Sequence, residues 1–246
     1  MSTRTGSLVI ALHGAVANAA TWLPLRRALA PDVELWTPDL PGHGARRDEP
    51  FTLAASFRTI DALAERAAPR RPILAGDSLG GYLALAAGAR LGPAVAGIVA
   101  GGCTWSMHGF GGWLARASDV LPQALEHALG SKRIDALASA LTRRVTDAAT
   151  ARAIVAGGLR SRARSESLRE LAGMDLEPLV RAISAPIVFV NGRFDWPTRA
   201  GERDLLRAAR DASLVIGSSG HGVGIFDAPA FARAIETVAA RIRERS

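Results

Sequence analysis

Short apolar runs recur along the chain at Leu8–Leu12, Val33–Trp36, Pro72–Ala75, Val95–Ala100, Pro186–Val190 and Ser213–Ile216. Most are continuously apolar rather than alternating, the pattern of strands covered on both faces of a parallel sheet. Between them lie stretches of helical period at Ala19–Leu29, Leu53–Ala68, Leu79–Leu91 and Thr198–Arg210, and a last one at Pro229–Arg243. This alternation predicts an α/β fold with a doubly wound, mainly parallel sheet of about six strands. One interval breaks the rhythm. Between the fourth apolar run and Pro186 lie roughly eighty residues of helical pattern, around Gly112–Asp119, Pro122–Leu129, Ile134–Thr142, Ala148–Gly157 and Ser165–Ala172. A crossover between neighbouring strands needs far fewer residues. Residues 104–182 are therefore expected to form a helical cap over one end of the sheet, with 1–103 and 183–246 as the core.

Composition narrows the function classes. Hydrophobic residues make up 48% and charged residues 22%, enough apolar material for a large core around the sheet. The net charge of +7 raises the question of nucleic acid. The positive charge is nearly all arginine, with Lys132 the only lysine, and it is spread along the chain without interleaved aromatics. No nucleic-acid partner is expected. A lone cysteine, Cys103, excludes an intramolecular disulfide and a thiolate zinc site. The first apolar run is too short for a signal peptide, and no run reaches membrane-spanning length. The expectation is a cytoplasmic protein with no membrane partner, no metal and no cofactor.

The chemistry centres on Gly76-Asp77-Ser78-Leu79-Gly80, which follows a strand and opens a helix. A serine on a sharp, strained turn has its hydroxyl pushed into the open, and glycines two positions either side leave room for the neighbouring strand and helix. The helix N-terminus adds free N–H groups and a positive dipole end. The embedded Gly-Asp-Ser-Leu also occurs in an unrelated lipase family, but there it lies near the N-terminus and is paired with Asp-x-x-His. No acid precedes His221 by three residues. A nucleophilic serine needs a base, and the base needs an orienting acid. His221 lies in a small-residue loop after the last strand, where side chains reach the C-terminal edge of the sheet. Asp195 follows the Pro186–Val190 strand in the same way. Asp227 competes for the acid role, but Asp227-Ala228-Pro229 reads better as a helix start capped by the aspartate.

These motifs, in this order, resemble the α/β-hydrolase superfamily, in its small cap-bearing branch of esterases, lyases and C–C hydrolases. His13-Gly14 with Trp22 downstream resembles the family's oxyanion strand, and Pro38-Asp39-Leu40-Pro41-Gly42-His43-Gly44 its hallmark loop. The serine turn, the Gly-x-x-Asp segment ending at Asp195, and His221 followed by Asp227-x-Pro229 complete the likeness. The resemblance implies that the backbone N–H groups of Ala15 and Leu79 form the oxyanion hole, and that His13 and His43 fix loop backbones. Two departures stand out. The chain reaches the oxyanion strand too early for the usual N-terminal hairpin, and Asp77 precedes the serine, where an adjacent carboxylate disfavours anionic substrates.

At the start of the insertion, Trp105, Met107, His108, Phe110 and Trp113 cluster near Cys103. They read as ordinary cap core or, with Trp22, as a substrate pocket, with His108 a lesser candidate for proton transfer. Arg143, Arg144, Arg152, Arg160, Arg162 and Arg164 read as a solvated face, the alternative being a rim that recognises a carrier-bound or carboxylate-bearing substrate. The expected function is a serine hydrolase of a carboxylic ester or thioester, acting through an acyl-enzyme on Ser78. The alternatives are a lyase, isomerase or cofactor-free oxygenase using the same triad as a base, and a non-catalytic receptor or interaction protein.

Overall fold

Leu8–Leu12 (β1), Glu34–Trp36 (β2), Ile73–Asp77 (β3), Gly97–Gly101 (β4), Ile187–Gly192 (β5) and Ala212–Gly217 (β6) are strands in the computed structural model, which describes residues 6–245. They form one six-stranded sheet in the order β2-β1-β3-β4-β5-β6, and every pairing is parallel. The strand number and the parallel pairing are those the sequence predicts. The four central strands are buried along their whole length because each of their faces meets a separate core. Ile10, Leu12, Leu74, Ile98 and Phe189 point into one core, while their neighbours Val9, Ala11, Ile73, Val99 and Val188 point into the other. The period-2 geometry of a strand thus divides a continuously apolar run between two helical layers.

Helices Leu23–Ala28 (α1), Leu53–Ala67 (α2) and Leu79–Leu91 (α3) follow the first three strands. Thr52 caps α2 by accepting the Ala55 N–H at 3.0 Å. The predicted Ala19–Leu29 helix is instead a 3₁₀ turn at Ala19–Trp22 that leads into α1. The first ten residues of α3 are buried, so its Ala- and Leu-rich sequence shows little amphipathic contrast.

After β4 come Gly109–Ala117 (α4), Val120–Leu129 (α5), Ser131–Val145 (α6), Ala148–Gly157 (α7), Arg162–Leu171 (α8) and Leu176–Ala182 (α9). The last of these packs on α3, burying Leu176 and Val180 in the same core. The final helix of the insertion expected over 104–182 thus packs with α3 in the first core, which Met107 and Leu171 also join.

Past β5, the predicted Thr198–Arg210 helix is two pieces, Trp196–Arg199 (α10) and Glu202–Ala208 (α11). The break falls at Gly201, where a Cβ would stand 2.1 Å from the Thr104 carbonyl oxygen. Val223–Phe226 (α12) and Ala228–Glu244 (α13) close the described chain, and α13 lays Phe231, Ile235 and Val238 on the second core. Among the described residues no helix is long and apolar enough to cross a membrane.

Candidate active site

The turn between β3 and α3 sets the site. Ser78 has φ +55° and ψ −119°, a conformation that side chains rarely adopt. The chain is forced into it by close packing on both sides. A Cβ on Gly76 would stand 2.0 Å from the Gly80 carbonyl oxygen, and one on Gly80 would stand 1.9 Å from that of Leu12. The Ser78 N–H is held by the Gly101 carbonyl at 2.8 Å. Its hydroxyl is 2.8 Å from Nε2 of His221, and Nδ1 of His221 is 2.8 Å from Oδ2 of Asp195. Three side chains, Ser78 lying 143 positions and Asp195 26 positions before His221, thus meet in one hydrogen-bonded series.

The His221 ring is 52% exposed, whereas Asp195 keeps only 5%. Burial pulls the His221 pKa down, but the hydrogen bond and charge of Asp195, with the charge of Asp77, outweigh it, and the pKa lies above 6.5. Burial pushes the Asp195 carboxyl up, yet its bond to His221 and the Thr198 hydroxyl bring the net value below the ordinary carboxylate range. A network behind the site fixes the Asp195 loop. The Asn191 amide accepts the Gly102 N–H at 3.1 Å and donates to the Thr104 hydroxyl at 2.8 Å. Asp227 lies outside this series. It caps α13 through the Ala230 N–H and holds the Ser218 N–H and hydroxyl, as a helix-capping aspartate does.

Ala15 and Leu79 flank Ser78, and neither N–H finds an acceptor among the described residues. The loop carrying Ala15 is tightly held. Neutral His13, fully buried, accepts the Leu40 N–H on Nε2 at 3.0 Å and sits 2.8 Å from the Gly14 carbonyl through Nδ1. His43 packs edge-on against it, with ring centres 5.0 Å apart. Burial, helped by the charge of His43, pushes the His13 pKa down to about 4. On the other side, the Val16 carbonyl accepts the Arg160 N–H at 2.9 Å, and the Asn18 amide donates to the carbonyls of Ile154 and Gly158. Val16 itself has φ +74°, a strained setting for a β-branched residue. Asp77 is buried beneath the turn. One oxygen accepts the Gly224 N–H at 3.0 Å, the other has no hydrogen bond, and burial raises its pKa.

Two cavities reach Ser78, one of about 390 Å³ and one of about 170 Å³. Trp22 lines the larger, and Trp105 and Met107 line the smaller. Phe110, Trp113 and His108 line neither. Helix α4 turns Gly112 and Ala115 inward, so Phe110 and Trp113 fall on its outer face, 76% and 56% exposed and stacked on each other, and His108 is exposed at its N-cap. Of the six arginines, Arg143, Arg144, Arg152 and Arg162 are exposed, and Arg160 bridges the Gly42 carbonyl and Glu166. Arg164 departs from an outward-facing set. It pairs with buried Asp119 and lines both cavities. Sequence reasoning missed Tyr82, one helical turn beyond Ser78, whose spacing places it on the same face. It also missed Ala138, Leu141 and Val145 of α6, which line the larger cavity and carry no sequence mark beyond helical period.

A family model described as the alpha/beta hydrolase family matches residues 9–241. A pimeloyl-[acyl-carrier protein] methyl ester esterase from Stenotrophomonas maltophilia (strain R551-3) is 28% identical over 91% of this chain and 85% of its own length. One of the same name from Xanthomonas oryzae pv. oryzae (strain MAFF 311018) is 40% identical over 38% of this chain, and the matched stretch spans only 35% of that relative. Among solved structures, MenH from S. aureus superposes with a TM-score of 0.75 at 16% identity, covering 99% of this chain and 96% of that one. A thermophilic esterase from Thermogutta terrifontis gives 0.75 at 19% identity, over 97% and 91%. With the fold, the serine turn and the family model in agreement over nearly the whole length, the chain belongs to the alpha/beta hydrolase family.

Proposed function

We propose that the protein hydrolyses a carboxylic ester or thioester through an acyl-enzyme on Ser78. The observation that carries this reading is the unbroken series from the Ser78 hydroxyl through His221 to Asp195, with both contacts at 2.8 Å. Ser78 Oγ attacks the substrate carbonyl carbon while its proton passes to Nε2 of His221. Buried Asp195 holds the imidazolium through Nδ1. The carbonyl oxygen, now negative, is met by the Ala15 and Leu79 N–H groups, which have no competing acceptor. Collapse of the tetrahedral adduct breaks the bond to the alcohol or thiol, which takes the proton from His221. A water molecule then gives its proton to His221 and attacks the acyl carbon, releasing the acid and restoring Ser78.

The helices from α4 to α8 act in this reading as a cap, because α6 walls the larger cavity above Ser78. The relatives' printed activity, cleavage of a methyl ester of a carrier-bound acid, supports ester hydrolysis as the reaction class. The test is covalent labelling with a fluorophosphonate, followed by intact mass and peptide mapping. One adduct on Ser78, lost in Ser78→Ala, is expected. No adduct, or one on another residue, refutes the serine mechanism.

A further inference from the structure

The two cavities at Ser78 share Ala15, Ser78, Arg164 and His221 and then part. The smaller, of about 170 Å³, ends among Tyr82, Met107 and Leu171, all buried. The larger, of about 390 Å³, runs past Leu141, Val145 and Phe226, which are 58%, 49% and 46% exposed, and so leads to solvent. One is a small apolar recess floored by buried side chains, and the other is a larger passage walled in part by exposed ones.

The chemistry tells them apart, given the acyl-enzyme reading on which this rests. The departing oxygen or sulfur takes its proton from Nε2 of His221, so the leaving group lies on the side of the His221 loop. Gly222, Gly224 and Ile225 of that loop line the larger cavity and not the smaller. Leu79, whose N–H meets the oxyanion, lines the smaller and not the larger. We infer that the smaller cavity is the acyl site and the larger is the path of the alcohol or thiol. The substrate class is therefore an ester or thioester of a compact apolar acid with an extended leaving group. A methyl ester would leave the passage empty, so the preference differs from the one in the relatives' printed name.

Two ester series test this. In the first, the leaving group is p-nitrophenol and the acyl chain runs from acetyl to dodecanoyl. In the second, the acid is butanoic and the alcohol runs from methanol to decanol. kcat/KM is expected to peak at a short acyl chain and to drop about tenfold for each methylene that meets the wall. It should rise about tenfold from methyl to octyl butanoate, as apolar surface is buried along the passage. Ala115→Leu, which fills the recess, should lower the butanoyl-to-acetyl ratio about tenfold, and Ala138→Leu, in the passage, should lower the octyl-to-methyl ratio instead. A preference for methyl esters of long acids, or an exchange of the two variants' effects, overturns the assignment. Fluorophosphonate labelling of the same preparations separates the failures. A labelled enzyme with a reversed profile refutes the cavity assignment alone, whereas an unlabelled one refutes the serine mechanism beneath it.

Discussion

Acidification should loosen this protein through one buried ring. His13 is fully buried and neutral, with both nitrogens engaged by backbone. A proton on Nε2 would break its acceptor contact with the Leu40 N–H and charge a site without solvent, so its pKa falls from 6.5 to about 4. In the unfolded chain the same ring binds its proton near 6.5. The unfolded state thus takes up the proton first as pH falls. The stability linked to His13 is complete above 6.5 and is lost progressively down to about 4. That interval, at about 1.4 kcal/mol per pH unit, comes to about 3 kcal/mol. A domain holds only about 5–15 kcal/mol in all, so the loss is large. With a urea m-value of about 3 kcal/mol/M, the midpoint should fall by about 1 M between pH 6.5 and 4 from this ring alone. Urea titrations at half-unit pH steps, on the wild type and on His13→Gln, isolate the term. The variant should be less stable at pH 7, but its midpoint should depend less on pH across that window. Parallel curves for the two proteins would falsify the assignment of acid sensitivity to His13.

The remaining predictions concern the site. Asp195→Ala should lower turnover by about 10⁴-fold, while Asp227→Ala should leave catalysis largely intact and lower stability by about 1 kcal/mol through loss of the α13 cap; a larger catalytic loss for Asp227→Ala reverses the two roles. Because His221 must be neutral to act as a base and its pKa is raised, kcat/KM should fall on the acid side of a limb lying above pH 6.5. Asp77→Asn removes one of the charges that raise it, and should move that limb to lower pH; an unmoved limb shows that Asp77 carries no charge. Cys103 is buried and burial pushes its thiol pKa up, so iodoacetamide should modify it only after denaturation; rapid alkylation of the native protein contradicts its placement.

The core of the fold was legible because its strands are continuously apolar, a pattern that few other environments tolerate. The serine turn was legible because sterics allow so few residues around it. Gly76 and Gly80 mark it in any sequence, and α3 begins and ends where the pattern places it. Legibility failed where a helix's partner decides its orientation. Phe110 and Trp113 are as apolar as any core residue, yet the small residues of α4 take the inward positions and the rings face solvent. Helix α9 follows the same logic in reverse. It is a short segment at the end of an insertion that the α3 surface draws into the main core. Arg164 turns inward to the cavities because buried Asp119, forty-five positions away, is there to receive it. None of these pairings has a local signature.

The tethers on the Ala15 loop bear on how substrate gains entry. Asn18 and Val16 bond to Ile154, Gly158 and Arg160, so the loop proposed to offer an N–H to the oxyanion is fastened to the helices above it. Those helices cannot swing away as an independent door without rupturing three hydrogen bonds. Opening by that hinge would dismantle the proposed oxyanion hole in the same motion. Entry and catalytic competence are thereby mechanically coupled. Traffic that preserves the assembled site must pass along α6, whose side chains flank the solvent end of the larger cavity and make no bond to the Ala15 loop.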